Sequence, residues 1–417
     1  MSRPYDVLVI GGGVSGMNAA IAAARKGVDV ILLEAGDHIG GQLLTADNGN
    51  YYVTNEQVGP ENYYDADPAV LKEVLGNLPG PALQTWLEEI GLALKSDDGR
   101  ICPASEQAVD VRDALRLQLN SRFVRVETYQ KVISINKTED GLFEVVGIKA
   151  TFYAKKVVLA AGSKSLETGM DGSGCRLAEE LGMEVKKPLP ALTSLRLFAS
   201  CSGDWDGVSC DGEIRLFVNG DKVCASTGSL QFSASGVSGT PAMNVSRYVS
   251  RALDEGKEVK AELSFLPGMT VDEAFEFLMK RFERVKDYLA REYLIGLIPK
   301  KLARSLIRQA GIRHSKPIHY LREEDVRRLA EVMTALPAEV TGHGNFRQAQ
   351  VCTGGVVTSE VVPETLESRK VPGLYLAGEL LDVDGMCGGY NLQWAFSSGY
   401  TAGASAVESL ERGEKNE

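Results

Sequence analysis

The stretch Tyr5–Ala35, YDVLVIGGGVSGMNAAIAAARKGVDVILLEA, decides how this chain begins to fold. Its apolar run Val7–Ile10 suits a buried parallel strand, and Val30–Leu33 suits a second one. Between them Gly11, Gly13 and Gly16 stand at G-x-G-x-x-G spacing, with Ser15 inside the turn and an alanine-rich helical segment after it. Each glycine has a physical task. One allows the tight turn, one lets backbone N–H groups reach a pyrophosphate, and one lets helix pack on strand, while the helix N-terminus adds positive potential. Glu34 closes the second strand, where a carboxylate can accept hydrogen bonds from ribose hydroxyls. These features in register predict a dinucleotide site, and at this point NAD and FAD both satisfy it.

Later stretches narrow the choice. HIGGQLLTADNGN (His38–Asn50) brings Gly41 and Gln42 as a second flexible backbone segment, and AKKVVLAAGSKS (Ala154–Ser165) ends an apolar strand in Ala161 and Gly162. Between them, residues 123–154 alternate apolar and polar with a turn signal near Glu139–Gly141, as a small antiparallel meander does. That order resembles FAD domains of the glutathione-reductase type, in which Val132 would offer backbone to the adenine. The end of the chain, VPGLYLAGELLDVDGMCGGYNLQWAFSSGYTAGASAVESL (Val371–Leu410), supplies a last strand, Gly378 with Glu379, and a Gly388–Gly389 turn into a helix. In such FAD domains the final acid binds the ribityl chain. The helix start, here Gly389, Tyr390, Asn391 and Leu392, then faces the flavin pyrimidine edge, where amide N–H groups and the helix dipole stabilise negative charge. Small residues Ala395, Gly399, Ala402, Gly403 and Ala406 recur at helical spacing, which also suits a tightly packed core helix.

Composition sets outer limits. At 417 residues, 44% hydrophobic and 24% charged, the chain has material for two or three domains of an α/β protein. Its seven cysteines have no C-x-x-C spacing, which reads as reduced cytoplasmic thiols without a zinc site, and no other metal cluster is expected. No run of about 18 apolar residues predicts a membrane span. The net charge of −11 argues against a general nucleic-acid binder, so a small-molecule substrate is expected and nucleic acid is not. The charge is uneven, however: Lys280–Arg328 holds 14 Lys and Arg against 6 Asp and Glu. A solvated helical face with Glu283, Asp287 and Glu292 interleaved as partners accounts for it, and no aromatic platform is expected within the basic run.

The motifs CPASEQAVDVRDAL (Cys102–Leu115), TGMDGSGCRLAEELG (Thr168–Gly182), GSLQFSASGVSGTPAM (Gly228–Met243), AQVCTGGV (Ala349–Val356) and the closing stretch resemble the BaiN/YhiN-like flavoproteins over nearly the whole chain. The resemblance implies a discontinuous FAD-binding Rossmann-type domain (1–190 and 353–417), a small β domain (191–264 and 336–352) and a helical insertion (265–335). It implies FAD as cofactor, with NADH or NADPH as transient electron donor. The activities it implies range from reduction of C=C bonds in 3-oxo steroid intermediates to oxidation of aminoacetone; a tRNA-modifying or partner-fed flavoprotein is the further alternative. One loop departs from the pattern: Asn50, Tyr51 and Tyr52 replace an expected basic and cysteine-bearing run, while Asn48, Gly49, Thr54 and Asn55 still match.

Catalytic groups are poorly marked, as suits an enzyme whose cofactor carries the redox chemistry. Four histidines exist, and His343 and Tyr390 are the candidate proton donors. Tyr51, Tyr52, Phe232, Phe346 and Tyr390 form an aromatic set expected to line a substrate pocket. Cys352 and Cys387 are expected to serve packing.

Overall fold

The computed structural model describes residues 3–44, 52–165, 170–198 and 204–414. The substituted Tyr51, with Asn48–Asn50, lies outside them. The chain divides into two compact units, Met1–Pro188 with Val351–Glu417, and Leu189–Gln350.

The first unit is built on a seven-stranded sheet. Strand β1 (Tyr5–Ile10) lies between β2 (Val30–Leu33) and Thr151–Leu159, parallel to both, and Arg125–Glu127 continues the parallel run beyond β2. Leu374–Leu376, from the far end of the sequence, adds in parallel to Thr151–Leu159, whose first half pairs with the antiparallel meander Val132–Lys137 and Phe143–Gly147. The parallel strands read as unbroken apolar runs because both faces are covered: Val7, Leu8, Val9, Ile31, Leu32, Val157, Val158 and Leu159 are all fully buried.

Helix α1 (Val14–Ala24) covers one face together with the closing helix Tyr390–Glu414. Their approach is set by glycine. A Cβ at Gly399 would lie 2.2 Å from the Ser15 carbonyl oxygen, and one at Gly403 would lie 2.2 Å from that of Ala19. Asn18, buried on α1, donates from Nδ2 to the Phe396 carbonyl at 2.6 Å and fixes the register of the pair.

The second unit contains a closed six-stranded barrel, in the order Leu195–Phe198, Gly236–Ser238, Asp221–Ser233, Ser209–Val218, Val259–Ser264 and Leu336–His343. Residues 218–221, VNGD, form a tight hairpin turn: Val218 pairs with Asp221, and Asn219 and Gly220 take φ of +51° and +93°, the two left-handed residues that such a turn demands. Phe232 belongs to this unit's core, only 6% exposed, with its ring 5.0 Å from that of Trp205. Its assignment to a pocket lining is therefore corrected; the alternation along the strand points it inward.

Helices Val271–Val285, Lys300–Gln309 and Glu323–Thr334 lie between the barrel strands Val259–Ser264 and Leu336–His343 in the sequence. Thr270 caps the first of these in a reciprocal box with Glu273. At the third, Asp325 is 4% exposed, and burial alone would raise its pKa. The Arg322 amide at 3.0 Å, Lys316 Nζ at 2.9 Å and the Arg328 guanidinium outweigh that and hold it at about 2.

Two predictions follow from this packing. Gly399→Ala and Gly403→Ala each drive a methyl group into the backbone of α1, costing about 1–3 kcal/mol of stability, which thermal unfolding reads as a lowered Tm; an unchanged Tm would refute the close approach. Asp325 has a depressed folded pKa, so its stabilisation is present above the ordinary carboxylate value of 3.8 and is lost as pH falls towards about 2. Asp325→Asn should be less stable at neutral pH and should show a shallower loss of Tm between those two pH values than the parent chain.

Candidate functional site

At the carboxyl end of β1 the chain turns through Gly11, whose φ of +106° places a would-be Cβ 2.4 Å from the Ala160 carbonyl oxygen. Gly16 is closer still: its Cβ would lie 1.8 Å from the Gly11 oxygen, so any side chain there would push the helix off the turn. Gly13 forms the N-cap of α1 in extended backbone, without any side-chain cap for the first-turn N–H groups. Ser15, 7% exposed, follows on the first turn.

Glu34 does more than end β2. Its carboxylate accepts from the Gly12 amide at 2.7 Å and from the Gly36 amide at 2.6 Å, and so clamps the glycine turn to the end of the second strand. The Glu34 carbonyl accepts from the Gln130 amide at 2.7 Å, which lays the segment leading to Val132 alongside. Gln130 escaped the sequence reading. It is 4% exposed and accepts from the Lys149 amide at 3.0 Å, but a single glutamine in a loop carries no pattern.

The remaining candidates from the first unit gather around these strand ends. Gly40 donates its N–H to the Gly12 carbonyl at 2.8 Å, tying the Gly41–Leu44 turn, and so Gln42, to the glycine loop. Ala161 and Gly162 leave the strand beside β1, where the Ala160 amide donates to the Ile10 carbonyl at 2.8 Å. Gly378 arrives from the other end of the chain with φ +72°, and its would-be Cβ lies 2.3 Å from Ser15 Oγ. The Gly378 amide donates to Ser398 Oγ at 2.9 Å, and Trp394 Nε1 donates to its carbonyl at 3.1 Å. The Glu379 carboxylate accepts from the Cys352 amide at 2.6 Å.

At the start of the closing helix, a Cβ on Gly389 would lie 2.3 Å from the Thr54 carbonyl, and Asn55 Nδ2 donates to the Gly388 carbonyl at 3.0 Å. Asn391 braces the preceding turn, accepting from the Gly385 amide at 2.8 Å and donating to its carbonyl at 3.0 Å; Leu392 is half-buried. Tyr390 is 9% exposed and packs edge-on against Tyr63, whose hydroxyl donates to the Tyr390 carbonyl at 2.8 Å. Burial, then Glu61, raises the Tyr390 pKa, so the phenol keeps its proton at neutral pH. Its hydroxyl makes no hydrogen bond among the described residues.

His343 stands in the other unit, at the end of a barrel strand, with Nδ1 paired to the Gly344 carbonyl at 2.6 Å. The Cys352 thiol donates to the Lys164 carbonyl at 2.7 Å, and burial pushes its pKa well up, as it does for Cys387. Both read as packing thiols. Asp65, Asp382 and Asp384 bring carboxylate oxygens within 4.8 Å of one another, a grouping their spacing did not announce. Asp382 is engaged by Lys186 Nζ at 2.7 Å and the Gly354 amide at 2.9 Å, a structural arrangement.

A crevice at the carboxyl ends of parallel strands, floored by glycine and flanked by a helix N-terminus, fits a dinucleotide pyrophosphate. A family model for the HI0933-like protein Rossmann domain matches residues 5–405. The chain belongs to the HI0933-like family. It is 37% identical over 406 residues to a 3-dehydro-bile acid delta(4,6)-reductase of Clostridium scindens, covering 96% of this chain and 98% of that one. It is also 27% identical to a ribosomal RNA dihydrouridine synthase of Haemophilus influenzae (97% and 99% covered) and 26% identical to one of Escherichia coli (97% and 98% covered). The chain is an oxidoreductase with the expected α/β Rossmann-type fold. No helix among the described residues is long and apolar enough to cross a membrane.

The basic run of the second unit differs from expectation in two respects. Glu283 and Asp287 take no cation among the described residues; Asp204 pairs with Arg308, Asp272 with Arg327, and Asp325 with Lys316 and Arg328. Aromatic rings are also present at its surface: Tyr288 is 49% and Tyr320 65% exposed, and the His319 ring lies 4.2 Å from that of Tyr320. Periodicity of the α-helices could not show these, because Tyr288 lies in a bend and Tyr320 ends the 3₁₀ turn Ile318–Tyr320, both between the α-helices.

One test addresses the Glu34 clamp. Glu34→Gln replaces two charge-assisted hydrogen bonds by weaker ones, so the Gly12 and Gly36 amides should exchange with deuterium roughly tenfold faster; unchanged protection would mean the carboxylate does not hold the turn.

Proposed function

We propose that this chain is an FAD-dependent reductase that adds hydrogen across a C=C bond conjugated to a carbonyl group, with 3-oxo steroid acids as substrate class. The observation that carries the reading is the end-to-end 37% identity to a reductase of 3-dehydro-bile acids. Gly11, Gly13, Ser15, Gly16 and Glu34 hold the adenosine diphosphate end of FAD, with Val132 at the adenine. Gly41, Gln42, Ala161 and Gly162 line the pyrophosphate path. Gly378, Glu379 and the 389–392 helix start take the ribityl and flavin end. FAD, when bound, supplies the hydride for the β carbon. NADH or NADPH donates transiently, since the sequence has no second strand, G-x-G-x-x-G and helix unit to house it.

The protein's own work is to position and to handle a proton. The first-turn amides of the closing helix, with their dipole, stabilise negative charge at the flavin pyrimidine edge. Tyr390, kept protonated by burial, donates its phenolic proton to the substrate α carbon. A cytoplasmic setting agrees with the free thiols among the described cysteines.

A second reading keeps the chemistry and changes the substrate. Dihydrouridine, named for the relatives at 26–27% identity, is uridine with hydrogen added across a C=C conjugated to a carbonyl. The exposed Tyr288 and Tyr320 beside Lys286 and His319 suit base stacking and phosphate contact, against the expectation that nucleic acid is not a partner.

Anaerobic mixing separates these readings. The purified chain should be yellow, be bleached by NADH or NADPH, and turn over a 3-oxo-4-ene steroid acid, slowed about tenfold or more by Tyr390→Phe. Turnover of uridine in RNA without enone turnover would favour the second reading. Bleaching by a small amine alone, with peroxide formed in air, would overturn both.

A further inference from the structure

The segment that departs from the family pattern, around Tyr52, has a structural partner that sequence spacing could not show. The short strand Thr54–Asn55 pairs antiparallel with Arg100–Pro103, and Asn55 stands directly opposite Arg100. From there the Arg100 side chain reaches the Gly388 turn, where a Cβ built on Gly388 would lie 3.7 Å from Arg100 Cδ. Asn55, the residue across the ladder, binds the Gly388 carbonyl.

The guanidinium is held on two sides. It lies over the Tyr52 ring, 4.7 Å from its centroid, and donates from Nε to the Asp97 carbonyl at 3.2 Å and from a terminal nitrogen to Asp97 Oδ2 at 3.3 Å. Tyr52 completes the group by donating its hydroxyl to the same Asp97 oxygen at 2.7 Å. Burial and that hydrogen bond push the Tyr52 pKa up to about 12, so the ring stays neutral and its face remains a good support for a cation. The Arg100 side chain is 34% exposed, and its two bonds to Asp97 are long, so its charge is only partly answered. At the half-buried Cys387, next to Gly388, Arg100 is the charge that opposes the upward push of burial on the thiol.

We infer that Arg100, stacked on Tyr52 and anchored by Asp97, is the cation that adds to the closing helix N-terminus in stabilising negative charge at the flavin pyrimidine edge. The inference rests on the FAD reading above and deepens it. A helix start alone supplies about half a positive charge; the guanidinium beside the same turn, offset in part by Asp97, adds to it in a partly buried place where screening is weak. The Tyr52 and Asp97 contacts fix where that charge sits, which a mobile arginine would not do. Arg100 acts here as an electrostatic positioning residue.

Sulfite tests this without reference to turnover. It adds to oxidised flavin at N5 and leaves negative charge on the pyrimidine side, so its affinity reads the positive charge held there. Titrating the yellow protein and following bleaching of the flavin band, Arg100→Gln should weaken sulfite binding roughly tenfold, while Arg100→Lys stays close to the parent. Tyr52→Leu, which removes the ring beneath the cation and leaves every charge in place, should weaken it severalfold and stands in if Arg100→Gln loses flavin. The midpoint potential of bound flavin should fall in the same order. Sulfite affinity and potential unchanged in Arg100→Gln, or unchanged in Tyr52→Leu where Arg100→Gln holds no flavin, would overturn the assignment of Arg100. A parent chain that binds no flavin would overturn the cofactor reading itself, so the two failures are distinct.

Discussion

The contact on which the first unit depends is backbone against backbone: Gly399 and Gly403 of the closing helix set against the carbonyls of Ser15 and Ala19 on α1. No side chain other than hydrogen fits between them. That contact brings the last segment of the chain to the first, and with it Gly378 beside Ser15 and Trp394 bonded to the Gly378 carbonyl. The glycine turn at the N-terminus and the glycine-rich loop at the C-terminus thereby come together. The last strand joins the sheet through the earlier half, since Leu374–Leu376 adds in parallel to Thr151–Leu159.

Around that junction the carboxylates are spent on backbone amides. Glu34 closes the glycine turn through Gly12 and Gly36, Glu379 meets the Cys352 amide, and Asp382 meets that of Gly354 while also pairing with Lys186. Loops at the ends of strands leave N–H groups without ladder partners, and a carboxylate satisfies them more strongly than a neutral acceptor does. The site is thus pre-shaped by groups whose first duty is structural. The same logic explains why the reduction chemistry leaves so few marks on the side chains: the fold supplies amides, a dipole and a cation in fixed places.

Much of this was legible in the sequence because it rests on local rules. The G-x-G-x-x-G turn between two apolar runs, the Asn219–Gly220 hairpin and the Thr270 cap each follow from a few neighbouring residues, whereas the acid at Glu34, expected at a ribose, is seen to bond the Gly12 and Gly36 amides. Departures arose where the deciding partner is distant. Phe232 alternates correctly along its strand, but closure of the barrel is what turned it into the core beside Trp205. The basic helices looked self-paired along the sequence, yet Arg308 and Arg327 take acids from other segments, and Tyr288 and Tyr320 come to the surface in the loops between helices.

By itself, then, the sequence determined the parallel α/β start, the glycine turn and the return of the chain to it, because hydrophobic period, glycine placement and capping act within one strand or one helical turn. Tertiary structure alone decided that Gln130 lies along Glu34, that Asp382 and Asp384 share a buried corner, and that Arg100 reaches Gly388 over the ring of Tyr52. Each of these depends on pairing between segments far apart in the chain. Such pairing follows from which strands share a sheet and which helices can touch, and no local spacing of residues encodes it.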